Sequence, residues 1–133
     1  MSLIPADLRY TRDHQWARLE PDGRITVGIT DFAQAQLGEV TGLELPPVGG
    51  NLESGEPMGA IDSLDSVSDI YAPVSGVCAE VNSECKDNPE TINQDPYDEG
   101  WLIVVEPSDL PEFDGLMTAD EYEAFVEEEV EAG

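Results

Sequence analysis

The sequence predicts a mainly β fold, a sandwich or a barrel. Short apolar or alternating runs recur along most of the chain, Gly- and Pro-containing turns separate them, and a long helical stripe is confined to the C-terminus. The 133 residues suit one compact domain, and a hydrophobic share of 40% is enough for a packed core.

Each element has a local cause. His14 to Glu20 alternates loosely and meets the turn signal Pro21-Asp22-Gly23, after which Arg24 to Ile29 is rich in β-branched residues, so the two read as a hairpin. Thr30 or Asp31 can cap a short helix from Phe32 to Leu37, with Gly38 as its stop. Val40 to Leu45 reads as a strand ended by Pro46-Pro47. Pro57 to Asp62 and Ser68 to Ala72 are extended candidates, but no Gly or Asn marks the turn Ser63-Leu64-Asp65-Ser66-Val67 between them. Val77, Ala79 and Val81 should share one strand face, with Cys78, Glu80 and Asn82 on the other. The stretch from Glu84 to Gly100 is polar, holds Pro89 and Pro96, and reads mostly as loop. Trp101 to Val105 is a continuous apolar strand, expected to be buried on both faces.

At the C-terminus Thr118 and Glu121 form a capping box, with Met117 and Tyr122 placed for a hydrophobic staple. Tyr122, Phe125, Val126 and Val130 then form a helical stripe against Glu123, Glu127, Glu128 and Glu129. The run of glutamates opposes the helix dipole and is expected to fray the helix end.

The net charge is −25. Residues 1–24 are neutral, with four Arg and four acids, whereas residues 25–133 hold 26 acids and a single base, Lys86. Nucleic acid and anionic membranes both require cationic residues, so neither is expected as a partner. A basic protein surface would be attracted; solubility or a saline cytosol would also account for the charge. No apolar run has the length of a membrane span, and Met1 to Pro5 lacks the regions of a signal peptide. The chain is read as cytoplasmic and monomeric, with Cys78 and Cys85 reduced.

Chemistry-bearing motifs are scarce. His14 is the single histidine and has no nucleophilic partner in a recognisable motif. Cys78 and Cys85 do not form a C-x-x-C pair and read as one strand thiol and one loop thiol. Asp62, Asp65 and Asp69 with Ser63, Ser66 and Ser68 invite a calcium reading, but their spacing does not match an EF-hand loop, and no metal is expected. Nothing resembles a catalytic centre, so the chain is not expected to be an enzyme.

Other segments are less generic. Tyr10-Thr11-Arg12-Asp13-His14-Gln15-Trp16, Val27-Gly28-Ile29-Thr30-Asp31-Phe32, Tyr71-Ala72-Pro73-Val74-Ser75-Gly76 and Glu99-Gly100-Trp101-Leu102-Ile103 resemble the glycine cleavage system H protein family, as do Leu45-Pro46-Pro47-Val48-Gly49 and Asn93-Gln94-Asp95-Pro96-Tyr97. The likeness runs in fixed order from about Leu8 to Glu129, leaving residues 1–7 and 130–133 as expected flexible tails of a single domain spanning 1–133. It implies a lipoyl-domain-like flattened β sandwich (a barrel-sandwich hybrid) with a short internal helix and a C-terminal helix.

The resemblance implies a carrier role in glycine catabolism. A lipoate in amide linkage to a hairpin lysine takes an aminomethyl group from glycine decarboxylase, presents it to aminomethyltransferase and is reoxidised by dihydrolipoamide dehydrogenase. The family's lysine motif, roughly Glu-Ser-Val-Lys-Ala-Val-Ser-Asp, corresponds here to Asp62-Ser63-Leu64-Asp65-Ser66-Val67-Ser68-Asp69. The lysine position is Asp65, and a carboxylate offers no amine for an amide bond. Lys86, the sole lysine, lies in Cys85-Lys86-Asp87-Asn88-Pro89, outside a strand turn, and reads as an ordinary surface residue. No cofactor is therefore expected on the chain. The expected role is a non-lipoylated docking relative that keeps surfaces for the three enzymes; the alternative is a carrier lipoylated at another site.

Overall fold

The computed structural model of the chain describes residues 4–64 and 66–132. In chain order the elements are β1 (Arg9–Tyr10), β2 (Gln15–Leu19), β3 (Ile25–Ile29), α1 (Asp31–Leu37), β4 (Val40–Glu44), β5 (Asn51–Leu52), β6 (Pro57–Ser63), β7 (Val67–Tyr71), β8 (Gly76–Val81), α2 (Ser83–Asp87), α3 (Glu90–Gln94), β9 (Ile103–Pro107), α4 (Pro111–Asp114) and α5 (Ala119–Ala132). One sheet has the order β1-β2-β3-β9-β8-β5 and the other the order β4-β6-β7. Adjacent strands in both are antiparallel.

The larger core draws on both sheets. Ile25 and Val27 of β3, Cys78 of β8 and Ile103 and Val105 of β9 pack with Val40, Ile61 and Ile70 of the smaller sheet. The opposite face of the larger sheet carries a second cluster, built from Tyr10, Trp16 and Phe32 with Tyr122 and Val126 of α5. Strand alternation divides neighbours between the two: Ala17 enters the first and Trp16 the second. Gly28 pairs with Trp16 across the β2–β3 ladder, and a Cβ on Gly28 would lie 2.6 Å from the indole. The absent side chain is what lets the ring lie flat on β3, its Nε1–H donating to the Pro96 carbonyl at 2.8 Å.

The expected hairpin of β2 and β3, the α1 helix capped by Thr30, the β4 strand and the C-terminal helix are all present. The capping box closes in both directions. Thr118 N–H donates to Glu121 Oε1 at 2.9 Å, and Glu121 N–H donates to Thr118 Oγ1 at 3.3 Å. The helix continues through Ala132 despite its glutamates, so the expected fraying does not shorten it. Of the expected N-terminal tail, residues from Ile4 onward are described: Ile4 packs on the second cluster, and the Pro5 carbonyl accepts from the Tyr10 hydroxyl.

Three expectations are corrected. The segment from Glu84 to Gly100 is not mostly loop, because Asn82 caps α2 and Ile92 buries α3. Cys85 is thus a buried helix residue, and Lys86 stands in the last turn of α2. On β8 a bulge between Cys78 and Glu80 interrupts the alternation, so Val77 and Val81 do not share one face: Val77 is 37% exposed, whereas Val81 packs against the core that holds Cys78. The apolar strand near Trp101 begins at Ile103, and its Val104 is half-buried, not enclosed on both sides.

Candidate functional site

β6 and β7 form the hairpin on which the residues from Asp62 to Asp69 lie, and β7 is one of the two edge strands of the smaller sheet. The register pairs Asp62 with Val67, Ile61 with Ser68 and Ala60 with Asp69. Two serines do the work that Gly or Asn does in other turns. Ser63 N–H donates to the Ser66 carbonyl at 2.8 Å, Ser63 Oγ donates to the same carbonyl at 3.1 Å, and Ser66 N–H donates to Ser63 Oγ at 3.2 Å. Leu64 N–H donates to the Glu39 carbonyl at 3.2 Å, which ties the hairpin end to the segment before β4. Leu64 and Val67 are 69% and 68% exposed. Asp65 lies outside the described residues, so its placement between Leu64 and Ser66 is known from sequence alone.

Beside the hairpin lies a cavity of about 320 Å³, walled by Ile29, Leu37, Ile61 and Val67 and bordered by Asp13 and Asp69. Gln15 closes one part of it. Its buried carboxamide donates from Nε2 to the Tyr71 carbonyl and accepts the Tyr71 N–H at Oε1 over 2.8 Å. This clasp joins β2 of one sheet to β7 of the other.

His14 also borders the cavity, but its ring is engaged elsewhere. Its backbone has φ 62°, and its ring sits among Phe32, Tyr122 and Phe125. Nε2 lies 2.8 Å from a Glu129 oxygen and Nδ1 2.8 Å from the Tyr122 hydroxyl. An ionised carboxylate only accepts, so Nε2 carries a hydrogen, and in the neutral ring Nδ1 accepts from Tyr122. Tyr122 in turn accepts from Thr30 Oγ1 at 2.7 Å, and Thr30 Oγ1 accepts the Ala33 N–H. Burial pushes the Tyr122 hydroxyl well above the ordinary phenol value, which keeps it protonated as this chain requires. His14 therefore fastens α5.

The remaining candidates also have structural surroundings. Cys78 and Cys85 are free and buried. Burial, followed by the nearby Glu84 and Glu99 carboxylates, pushes the Cys85 thiol up to about 11. Among the described residues, no group of His, Cys, Asp and Glu side chains is arranged to hold a metal ion. Asp62 and Asp69 stand on opposite strands of the hairpin. Lipoate attachment requires an amine, and none of the side chains from Asp62 to Asp69 has one, so the hairpin does not fit that group. Sequence reasoning missed the cavity, because its walls come from β3, α1, β6 and β7 and no local motif spans them.

The comparisons agree with this architecture. A sequence model of the family described as Glycine cleavage H-protein matches residues 8–129. The glycine cleavage system H protein of Anaeromyxobacter sp. (strain K) is 55% identical over 126 residues, covering 95% of this chain and 98% of that protein. Its counterpart in Halalkalibacterium halodurans is 49% identical over 129 residues, covering 97% of this chain and all of that protein. The crystal structure of a glycine cleavage system H protein from Mycobacterium marinum superposes with a TM-score of 0.83 at 43% identity, covering 90% of this chain and 95% of that one. The lipoyl-domain-like sandwich expected from the sequence is the observed fold.

Proposed function

The chain belongs to the glycine cleavage H-protein family, and from that membership we propose that it acts as a docking module without a lipoyl arm. H proteins are carriers, not enzymes, and the chain is not an enzyme. One observation carries the proposal: the segment Asp62 to Asp69, which resembles the family's lysine motif, holds Asp65 and no lysine, and lipoylation joins an activated carboxyl to an amine. The paired β6 and β7 strands and the Ser63–Ser66 bonds support a hairpin still built for presentation. Its partners are glycine decarboxylase, aminomethyltransferase and dihydrolipoamide dehydrogenase or their relatives, met in the cytoplasm. Among the described residues no helix is long and apolar enough to cross a membrane.

A second reading is a working aminomethyl carrier modified elsewhere. Lys86 is the sole side-chain amine available to it. It sits on a short helix between β8 and β9, not on a strand turn, which favours the first reading. Incubation with lipoate, ATP and a lipoate ligase followed by intact-mass measurement separates the two. The expected result is an unmodified chain that is still retained by immobilised decarboxylase or aminomethyltransferase at low salt. A lipoyl adduct together with glycine–bicarbonate exchange would establish the second reading instead. No retention by either enzyme would remove the first.

A further inference from the structure

A different groove opens where β5, an edge strand of the larger sheet, meets the start of β6 in the smaller one. Pro46, Pro47, Leu52, Pro57 and Met58 give it an apolar lining. Its volume of about 440 Å³ falls within the range of about 300–1,000 Å³ found for ligand pockets. The seven residues of β6 run from this groove to the hairpin turn, which sets the two about 20 Å apart.

Two tight turns flank β5 and hold the rim of the groove. Gly50 N–H donates to the Pro47 carbonyl at 3.0 Å, and Glu56 N–H donates to the Glu53 carbonyl at 3.0 Å. The third residue of each turn, Gly49 at φ 88° and Gly55 at φ 85°, has the left-handed backbone that a type II turn requires. The second turn is also fastened from outside. Gly55 N–H donates to the Ala72 carbonyl at 2.8 Å, Ala72 N–H to the Glu56 carbonyl at 3.0 Å and Ser54 N–H to Ser75 Oγ at 3.0 Å. Glu53 and Glu56, as the two ends of one turn, have Cα atoms within about 7 Å of each other. Both line the groove, both are exposed, and neither forms an ion pair among the described residues. No Lys or Arg lines the groove. The first turn presents Val48, which is 62% exposed.

Two carboxylates on a fixed turn beside an apolar wall suit a flat, weakly hydrated cation on a long stem. A guanidinium offers five donors in a rigid fork, enough to serve both carboxylates, while its stem covers apolar surface. An ammonium is a compact, strongly hydrated point charge and gains less from such a pair. The surrounding field has the favourable sign, since 26 acids and one base occupy residues 25–133. We infer that this groove receives an arginine side chain of a partner protein, with its stem on Pro57 and Met58, its guanidinium between Glu53 and Glu56, and a neighbouring apolar residue of the partner on Val48. The inference goes beyond the docking reading. It assigns a second attachment face, remote from the hairpin turn, which a partner can hold while the hairpin stays uncovered.

The test uses the full chain and the peptide acetyl-Ala-Leu-Arg-Leu-Ala-amide, with lysine or the neutral citrulline replacing arginine for comparison. Amide shifts in a nuclear magnetic resonance titration should localise to Val48, Asn51, Glu53, Glu56 and Met58 and leave Leu64 and Val67 unmoved. The arginine peptide should bind more tightly than either comparison peptide, and its affinity should fall as salt rises. Glu53→Gln and Glu56→Gln should each weaken arginine-peptide binding by about threefold, as for exposed ion pairs. Glu127→Gln, on the exposed side of α5, should leave it unchanged. Absence of arginine-peptide binding, equal binding of the lysine or citrulline peptide, shifts centred on the hairpin or spread over the whole surface, or an equal loss in Glu127→Gln would each overturn the inference.

Discussion

The carboxamide of Gln15 hydrogen-bonds both backbone groups of Tyr71, so that a side chain of the larger sheet completes the end of the smaller sheet's edge strand. Only a group with one donor and one acceptor can do this. In Gln15→Glu the carboxylate keeps the Tyr71 N–H but turns an acceptor toward the Tyr71 carbonyl in a site only 2% exposed. The expected cost is about 1–3 kcal/mol near neutral pH, by urea unfolding. Protonation supplies the missing donor, so the introduced carboxyl titrates above its ordinary value. The penalty should therefore shrink as pH falls through that raised value. A Gln15→Glu variant as stable as the parent at pH about 7 would show that the clasp contributes nothing.

Cys85 gives a pH prediction on the alkaline side. Its thiol is raised from 9.0 to about 11, first by burial and then by Glu84 and Glu99. A group raised on folding adds stability that is complete below its unfolded value and is lost as pH climbs through the folded one. Stability should accordingly decline between about pH 9 and 11 in the parent, and by less in Cys85→Ala. At about pH 8 the native thiol should react with a disulfide reagent roughly a hundredfold more slowly than in the unfolded chain, from its smaller thiolate fraction. Equal rates in native and unfolded protein would contradict this environment.

Much of the scaffold is written locally, and the exceptions have identifiable causes. Pro21-Asp22-Gly23, the Thr30 cap and the Thr118–Glu121 box are short-range devices, and each forms where the sequence places it. The β6–β7 turn looked weak because its stabilising bonds come from Ser63 and Ser66, residues without a strong turn signature. Helix α2 depends on Asn82, whose Oδ1 accepts the Cys85 N–H while its Nδ2 donates to the carbonyls of Glu99 and Trp101. That fixing spans distant segments and cannot be seen in a window of sequence. The bulge on β8 likewise depends on its pairing with β9, and it turns Val81 to the face opposite Val77. At the candidate site the residue identities were legible, whereas the groove beside them arises only from tertiary assembly.

The Tyr122 hydroxyl provides a test of how α5 is held. It bonds His14 at 2.8 Å and Thr30 at 2.7 Å, and its ring stacks on Tyr10 at 4.6 Å. Tyr122→Phe keeps the stacking and removes both hydrogen bonds, leaving buried partners unsatisfied, with an expected cost of about 1–3 kcal/mol. Thr30→Val in the same background should cost less than it does alone, because its partner is already gone. Additive losses in a double-mutant cycle would mean that the two hydroxyls are not coupled.

Asp65→Lys addresses the substitution on which the functional reading depends. The flanking strands are paired in register, and the serine bonds on either side of the position need no contribution from its side chain. Placing an amine there should turn the chain into a substrate for lipoate ligase, with intact mass rising by one lipoyl group and Lys86 remaining unmodified. Prior lipoylation of the variant should also allow glycine–bicarbonate exchange if the docking surfaces for the decarboxylase persist. Failure to accept lipoate would mean that recognition needs more than a lysine at position 65, with Asp62, where the resemblance implies a glutamate, the next position to exchange. Lipoylation without exchange would place the divergence at the enzyme-facing surface instead.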